Sequence, residues 1–193
     1  RDLHSFPTRR SSDLFMMICI YVIVNGVKGG IEKWSKIMMP TIIVILVVLA
    51  VRGLTLPNGM AGLTFLFKPK FEDLSASAVL LALGHSFFTL SLGMGTMITY
   101  GSYLKRTENL LNSALWVIGL DTIIALLAGI AIFSTVFALG ADPAEGAGLI
   151  FVVLPSVFPQ LPGGHIWGTL FFVILFMAAL TSAISILEVV TAY

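Results

Sequence analysis

The feature that most constrains this fold is an apolar segment, residues 76–104, with a polar and glycine-rich interruption near its centre. The segment exceeds the about 20 residues that a membrane-spanning helix needs. The interruption, Ser91-Leu-Gly-Met-Gly95, has two glycines one residue apart, and glycine suits a helix interior poorly. Unwound backbone at membrane depth is tolerated only within protein or beside a cavity. The sequence therefore predicts a helix that breaks in mid-membrane, at a candidate ligand site.

The composition is that of a membrane protein. Of the 193 residues, 58% are hydrophobic and 11% are charged, whereas soluble chains carry about 25% charged residues. The net charge of +1 indicates no particular partner, and the single cysteine, Cys19, excludes a disulfide within the chain. We find no nucleophile–base pair, phosphate-binding loop or nucleic-acid signature, and so expect neither an enzyme nor a nucleic-acid-binding protein.

The apolar runs divide the chain into helices, and the predicted fold class is all-α integral membrane. The predicted elements are the end of a helix at 15–27, a helix at 37–56, the broken helix at 76–104, a helix at 110–139 and a truncated helix at 166–193. We expect Pro40 in the first turn of the second of these. Residues 60–75 are expected to form a polar or interfacial loop, and the proline- and glycine-containing segment 140–164 a lid-like loop with short helices.

Both ends of the chain indicate a fragment. Residues 1–14 are polar, unlike the rest, and contain the string HSFPTRRSSDL, which resembles a translated sequencing adaptor. We therefore predict that they are a non-native leader. At the other end, the last helix has no polar flank.

Basic residues in short loops predict the orientation in the membrane. One side would carry Lys28, Lys33, Lys36, Lys105 and Arg106, and the other Arg52, Lys68 and Lys70. This bias predicts that loops 28–36 and 105–109 are cytoplasmic and that 140–164 is extracellular.

Hydroxyl groups and one acid are the candidate site residues. Thr89 and Ser91 flank the break and offer hard oxygen ligands suited to Na⁺, although such hydroxyls also bond to their own helix carbonyls. Asp121 lies in an apolar run about 15 residues past Arg106, or roughly 22 Å along a helix. An intramembrane carboxylate costs about 2.5–3.5 kcal/mol, which favours a functional role over mere access to water at the helix end.

Two further signals lie in the last helix. Thr181 and Ser182 can border one cavity together with the carbonyl of Ala178, or can serve only as small residues for helix packing. Glu188 is a coupling group, a partner for a basic residue, or a carboxylate in a cytoplasmic vestibule, and we favour the vestibule.

At these residues the chain resembles the neurotransmitter:sodium symporter family, in particular its bacterial amino-acid transporters. The resemblance runs from about residue 15 to residue 193 and rests on five motifs: GIEKWSKIMMP at 30–40, RGLTLP at 52–57, SFFTLSLGMG at 86–95, TYGSY at 99–103 and LTS at 180–182. It implies the end of helix 4 and helices 5 to 8 of a fold built from two inverted five-helix repeats, with 140–164 as the extracellular lid.

The resemblance also implies a function, Na⁺-coupled symport of hydrophobic amino acids by alternating access across the plasma membrane. Its partners would be the amino acid, the lipid bilayer and the missing helices. Thr89 and Asp121 would ligate a first Na⁺, and the Ala178 carbonyl, Thr181 and Ser182 a second. Phe88 would cover the substrate, and the pocket would be lined by Ser91, Gly93, Met94, Gly95, Ser182 and Ile186.

Two departures from the family pattern carry further expectations. Asp121 stands where the family often has asparagine, and it adds a negative charge that is sensitive to pH. Ala125 stands where relatives place a carboxylate or a chloride-binding serine, so we expect that chloride is not required. The rival hypotheses are a proton-coupled permease of the same fold and a channel or scaffold whose glycines serve only packing.

Overall fold

The computed structural model describes residues 6–68, 70–141 and 148–192, and within these ranges it is helical and contains no strand. The helices are α1 (Phe6–Val24), α2 (Lys33–Leu54), α3 (Gly59–Phe67), α4 (Ala76–Thr89), α5 (Thr96–Ser102), α6 (Leu110–Ala138), α7 (Leu154–Val157) and α8 (Gly164–Thr191). They are connected by two π-helical turns, Val27–Glu32 and Leu149–Val153, and by two 3₁₀ turns, Phe71–Asp73 and Phe158–Gln160.

Three of the described helical segments are long and apolar enough to cross a membrane: Val27–Leu54, Leu110–Ala138 and Gly164–Thr191. Between α4 and α5, residues 90–95 are not helical. The predicted all-α membrane class with a discontinuous helix is therefore confirmed. The chain is part of a multi-pass membrane protein.

The apolar core lies where α2 meets α6 and α8. Its buried members include Ile42, Leu46, Leu49 and Ala50 of α2, Ala131 and Val136 of α6, Leu154 and Phe158 of the segment before α8, and Phe171 and Ile174 of α8. A second cluster joins α1, α2 and α8 through Cys19, Val22, Met38, Leu180 and Ile184. These two clusters hold α8 in place, and α8 carries the second candidate ion site.

The structure corrects the expected loop at 60–75, since residues 59–67 form helix α3. Asn58 starts this helix in a left-handed conformation (φ 64°), and its Nδ2 donates to the carbonyl of Phe137 on α6 at 3.2 Å. Gly62 is buried against the α6 backbone, where a β-carbon would collide with the carbonyl of Phe133. Glycine therefore permits the close approach of α3 to α6, which sequence periodicity over nine residues did not reveal.

The segment expected as the cytoplasmic loop 28–36 is also helical. It consists of the π-helical turn and the start of α2, and there Lys36 pairs with Glu32 at 2.6 Å on the exposed surface. Because α2 begins at Lys33, Pro40 lies inside the helix and not in its first turn. Pro40 has no N–H to donate to the carbonyl of Lys36, so the regular bonding pattern is interrupted there.

Candidate functional site

The break between α4 and α5 is built from alternating left-handed residues. Ser91, Gly93 and Gly95 have φ values of 55°, 84° and 79°, a region that glycine enters without a steric penalty. Helix α4 ends in a Schellman cap around the left-handed Ser91, in which Ser91 N donates to Phe88 O at 3.0 Å and Leu92 N to Phe87 O at 2.8 Å. Regular helix resumes when Thr99 N donates to Gly95 O at 2.9 Å. These left-handed residues therefore interrupt the helix between α4 and α5, as the sequence indicates.

The candidate substrate residues of the break lie on an open face. Ser91, Gly93 and Gly95 border a cavity of about 210 Å³. The side chain of Phe88 is 69% exposed and that of Met94 is 40% exposed. Helix α4 has no buried residue, so the other described elements leave this helix uncovered.

Helix α5 lies against the C-terminal half of α8. At Gly95 an added β-carbon would lie 3.1 Å from Val189 Cγ1 of α8. The hydroxyl of Tyr100 donates to Ser185 Oγ at 3.0 Å. One turn later on both helices, the hydroxyl of Tyr103 donates to Glu188 Oε1 at 2.6 Å. These contacts place the end of the break, at Gly95, beside Val189, and the middle of α5 beside Ser185, which lies between the predicted site residues Ser182 and Ile186 on α8.

Glu188 differs from its expected setting. It is only 7% exposed and accepts the hydrogen bond from Tyr103, so it is not a carboxylate in an open vestibule. A buried carboxylate is tolerated when it has a hydrogen-bonding partner, and Tyr103 supplies one. Glu188 therefore joins α5 to α8.

Two of the three predicted second-site residues contact each other. Thr181 Oγ1 donates to the carbonyl of Ala178 at 2.8 Å, and Ser185 Oγ donates to the carbonyl of Thr181 at 3.0 Å. Thr181 is half-buried, whereas Ser182 is exposed. These bonds follow α8 over about two turns, and neither of them involves the Ser182 hydroxyl.

The predicted first-site residues are not brought into contact. Thr89 Oγ1 donates to its own helix, to the carbonyl of Ser86 at 3.3 Å, as the alternative interpretation of that hydroxyl expects. Asp121 is half-buried on α6. It lies one turn beyond Val117 and Ile118, on the helix face that these residues share. Within the described ranges, no three His, Cys, Asp or Glu residues gather in a way that could hold a metal.

A larger cavity separates α5 from the start of α6. It measures about 490 Å³, and its walls are Leu90, Leu92, Met97, Tyr100, Gly101 and Leu104 from the broken helix and Leu110, Ser113, Ala114, Val117 and Ile118 from α6. The cavity ends one turn before Asp121. Leu90 and Leu92 of the break therefore border this cavity, whereas Asp121 does not.

Sequence reasoning missed the residues that join α5 to α8. Tyr100 and Tyr103 lie within a motif noted only for its resemblance, and Ser185 received no role. The available signal was the spacing, since a pair of tyrosines three residues apart meets a serine and a glutamate three residues apart. Equal spacing of one helical turn allows two side-by-side contacts between packed helices.

Comparisons with known proteins identify the family. The model of the "Sodium:neurotransmitter symporter family" matches residues 8–193. The uncharacterized sodium-dependent transporter YhdH of Bacillus subtilis is 45% identical over 179 residues, which cover 93% of this chain and 40% of that protein. An uncharacterized sodium-dependent transporter of Haemophilus influenzae is 41% identical over 92% of this chain and 39% of its own length.

A more distant relative is the sodium- and chloride-dependent GABA transporter ine of Drosophila melanogaster, 34% identical over 96% of this chain and 21% of that protein. This chain thus spans about 40% or less of the length of these relatives. They are transporters and not enzymes, in agreement with the expectation from the sequence. The helices are apolar and one of them is broken. Because the family model also matches nearly the whole chain, the chain belongs to the sodium:neurotransmitter symporter family.

Proposed function

We propose that this chain is the central part of a Na⁺-coupled amino-acid symporter that works by alternating access. The complete protein that would contain it is called the parent symporter below. The observation that carries the proposal is the left-handed break at residues 90–95, which continues into α5, where Tyr100 bonds to Ser185 one turn from Thr181 on α8. Residues 15–193 would form the end of helix 4 and helices 5 to 8, with 140–164 as an extracellular lid, whereas 1–14 would not be native.

Two Na⁺ sites are proposed, each completed by helices outside this chain. The second site uses the Ala178 carbonyl, Thr181 and Ser182, and the 2.8 Å contact between Thr181 Oγ1 and the Ala178 carbonyl supports it. The first site uses Thr89 and Asp121. For that site the Thr89 hydroxyl must leave its bond to Ser86, and α6 must bring its carboxylate toward the break.

The substrate proposed is a hydrophobic amino acid. The unwound backbone at Ser91, Gly93 and Gly95 offers polar groups for the charged ends of an amino acid, while Met94 and Ile186 offer apolar side chains for its side chain. Phe88 would cover the bound molecule, and Ser182 would line the pocket from α8. The unbranched thioether of Met94 adapts to side chains of differing shape, which favours a pocket tolerant of larger residues.

The test is Na⁺-dependent uptake by the parent symporter in proteoliposomes. We expect uptake of leucine or another hydrophobic amino acid to require inward-directed Na⁺ and to fall to background when choline replaces it. Uptake that is equal in Na⁺ and choline rejects the proposal. If that uptake instead follows an imposed pH gradient, the proton-coupled permease is the better reading; if no gradient drives any uptake, the channel or scaffold is.

A further inference from the structure

We infer that Tyr100 and Ser185 are positioning residues of the second Na⁺ site, because they form a hydrogen-bonded chain from α5 to the Thr181 turn of α8. This inference rests on the proposed function and adds to it two residues that touch neither the ion nor the substrate. These hydrogen bonds couple the position of the broken helix to the oxygens proposed to bind the ion.

The direction of the chain follows from its proton count. A serine hydroxyl has one proton, and that of Ser185 is donated to the carbonyl of Thr181 at 3.0 Å. In the 3.0 Å contact between Tyr100 and Ser185, the tyrosine must therefore be the donor. Thr181 in turn donates its own proton to the carbonyl of Ala178 at 2.8 Å. Two successive hydrogen bonds thus lead from α5 to the backbone carbonyl of Thr181, and the side-chain hydroxyl of the same residue bonds to the Ala178 carbonyl, another proposed ligand.

The hydrogen bonds from Tyr100 through Ser185 to Thr181 lie in partly buried surroundings. Tyr100, Ser185 and Thr181 are all half-buried, and a hydrogen bond is stronger where water is partly excluded. The three residues, with Ser35 of α2, border a cavity of about 200 Å³ whose other walls are Ile31, Met38, Met39 and Ile184. A cavity of this volume with four hydroxyl groups accommodates several waters. An ion at Thr181 would therefore have polar surroundings on the side that faces this cavity.

Na⁺ binding would depend on this chain in a specific way. The ion must take a lone pair from Thr181 Oγ1 and one from the Ala178 carbonyl, which now share a proton. Ser185 holds the Thr181 carbonyl, and Tyr100 holds Ser185, so the turn keeps its register against α5 while the Thr181 hydroxyl reorients. If the hydroxyl of Tyr100 or of Ser185 is removed, the Thr181 turn is less well preorganised. Part of the free energy of Na⁺ binding then offsets the cost of ordering that turn.

The neighbouring contact protects the fold in the test. Tyr103 and Glu188 join the same two helices one turn away, and this hydrogen bond stays intact when the Tyr100 hydroxyl is removed. A change in Na⁺ response of the Tyr100→Phe variant therefore does not require separation of α5 from α8.

The experiment compares Tyr100→Phe, Ser185→Ala and the double variant in the parent symporter, with Ser102→Ala as the matched control. Ser102 is on α5 too, but its hydroxyl donates to Thr99 O of its own helix at 2.6 Å. Uptake of labelled leucine is measured against Na⁺ concentration, and against leucine at saturating Na⁺. We expect each single variant to raise the half-saturating Na⁺ concentration about fivefold, the effect of losing one hydrogen bond.

Three further results are expected. The double variant equals the single variants, because both remove the same chain. The leucine KM at saturating Na⁺ stays near that of the unmodified protein, and Ser102→Ala changes nothing. Ser185→Thr keeps a hydroxyl at the same position and restores the Na⁺ response, which separates the lost hydrogen bond from general damage to the fold.

The inference is overturned if both single variants respond to Na⁺ like Ser102→Ala, if their effects add, or if Ser185→Thr is as impaired as Ser185→Ala. Thr181→Ala separates this failure from failure of the proposed function. When Thr181→Ala weakens the Na⁺ response and the Tyr100 and Ser185 variants do not, the second site stands and only the positioning role is lost. If uptake by the unmodified parent symporter does not depend on Na⁺, both the proposed function and this inference are rejected.

Discussion

Gly62 gives the sharpest test of how α3 is held on α6. A β-carbon at this position would lie 2.5 Å from the backbone nitrogen of Ser134, well inside the about 3.5–4.0 Å at which nonbonded atoms attract. The obstacle is backbone, which cannot rotate away, so Gly62→Ala must push α3 off α6. Overpacking of this kind costs about 1–3 kcal/mol. Alanine returns about 1 kcal/mol as the better helix former, which leaves a net loss of up to about 2 kcal/mol.

Gly129→Ala is the matched control at the same interface. Its β-carbon would lie 3.1 Å from Leu66 Cδ2, the end of a flexible side chain that can move. The helix preference is the same in both substitutions, so their difference measures the backbone contact alone. We expect the control to be neutral or slightly stabilising.

The assay is the melting temperature of the detergent-solubilised parent symporter, followed by size-exclusion fluorescence after heating. At an unfolding entropy of about 2.1 cal/mol/K per residue, 1 kcal/mol corresponds to about 1 °C for a protein of roughly 450 residues, the length of the Bacillus subtilis relative, so we expect Gly62→Ala to melt about 1–3 °C lower than Gly129→Ala. Equal melting temperatures would refute the reasoning, since they would show that α3 is not closely packed on α6. A Gly62→Ser variant should fall on the Gly62→Ala side, because it adds the same β-carbon.

Three other predictions concern the proposed transport activity. Replacing Thr89 or Asp121 with alanine should weaken the Na⁺ dependence of uptake, and no effect from either change, in Na⁺ titrations of uptake, would remove the proposed first ion site. Uptake in gluconate medium should equal uptake in chloride medium, because Ala125 offers no chloride ligand and the Asp121 carboxylate would supply the negative charge instead; strong stimulation by chloride would contradict this. The 193-residue chain alone should not transport, since each proposed site needs ligands from other helices, and uptake above empty liposomes would count against the incomplete sites.

The break was predictable because its cause is local. Glycine at positions 93 and 95 enters the left-handed region without a side-chain penalty, and the apolar flanks fix the depth in the membrane. Helix α3 was not predictable in the same way. Nine residues between turns have too little periodicity to separate a helix from an interfacial loop, and their helical state depends on Gly62 meeting α6.

The polar contacts of the site were beyond local reasoning for a different physical reason. Tyr100 and Ser185 are 85 positions apart, and only the packing of α5 on α8 brings them together. The same holds for Glu188, whose burial reflects the presence of Tyr103 and not its own sequence neighbours. A carboxylate near a helix end looks like a vestibule group until the partner that covers it is known.

Helix α6 shows how the packed part of this chain relates to the part that carries the chemistry. Its buried residues, Ala131, Ser134, Thr135 and Val136, all lie in its C-terminal third, where α2 and α3 cover it. Its first half exposes large apolar side chains such as Leu115 and Trp116 at 60% and 65%. Asp121 belongs to that uncovered half, and α4 has no buried residue either. In the proposed symporter, the described core would therefore anchor one end of α6, while the Asp121 end and α4 remain free to pack against the helices that complete both ion sites.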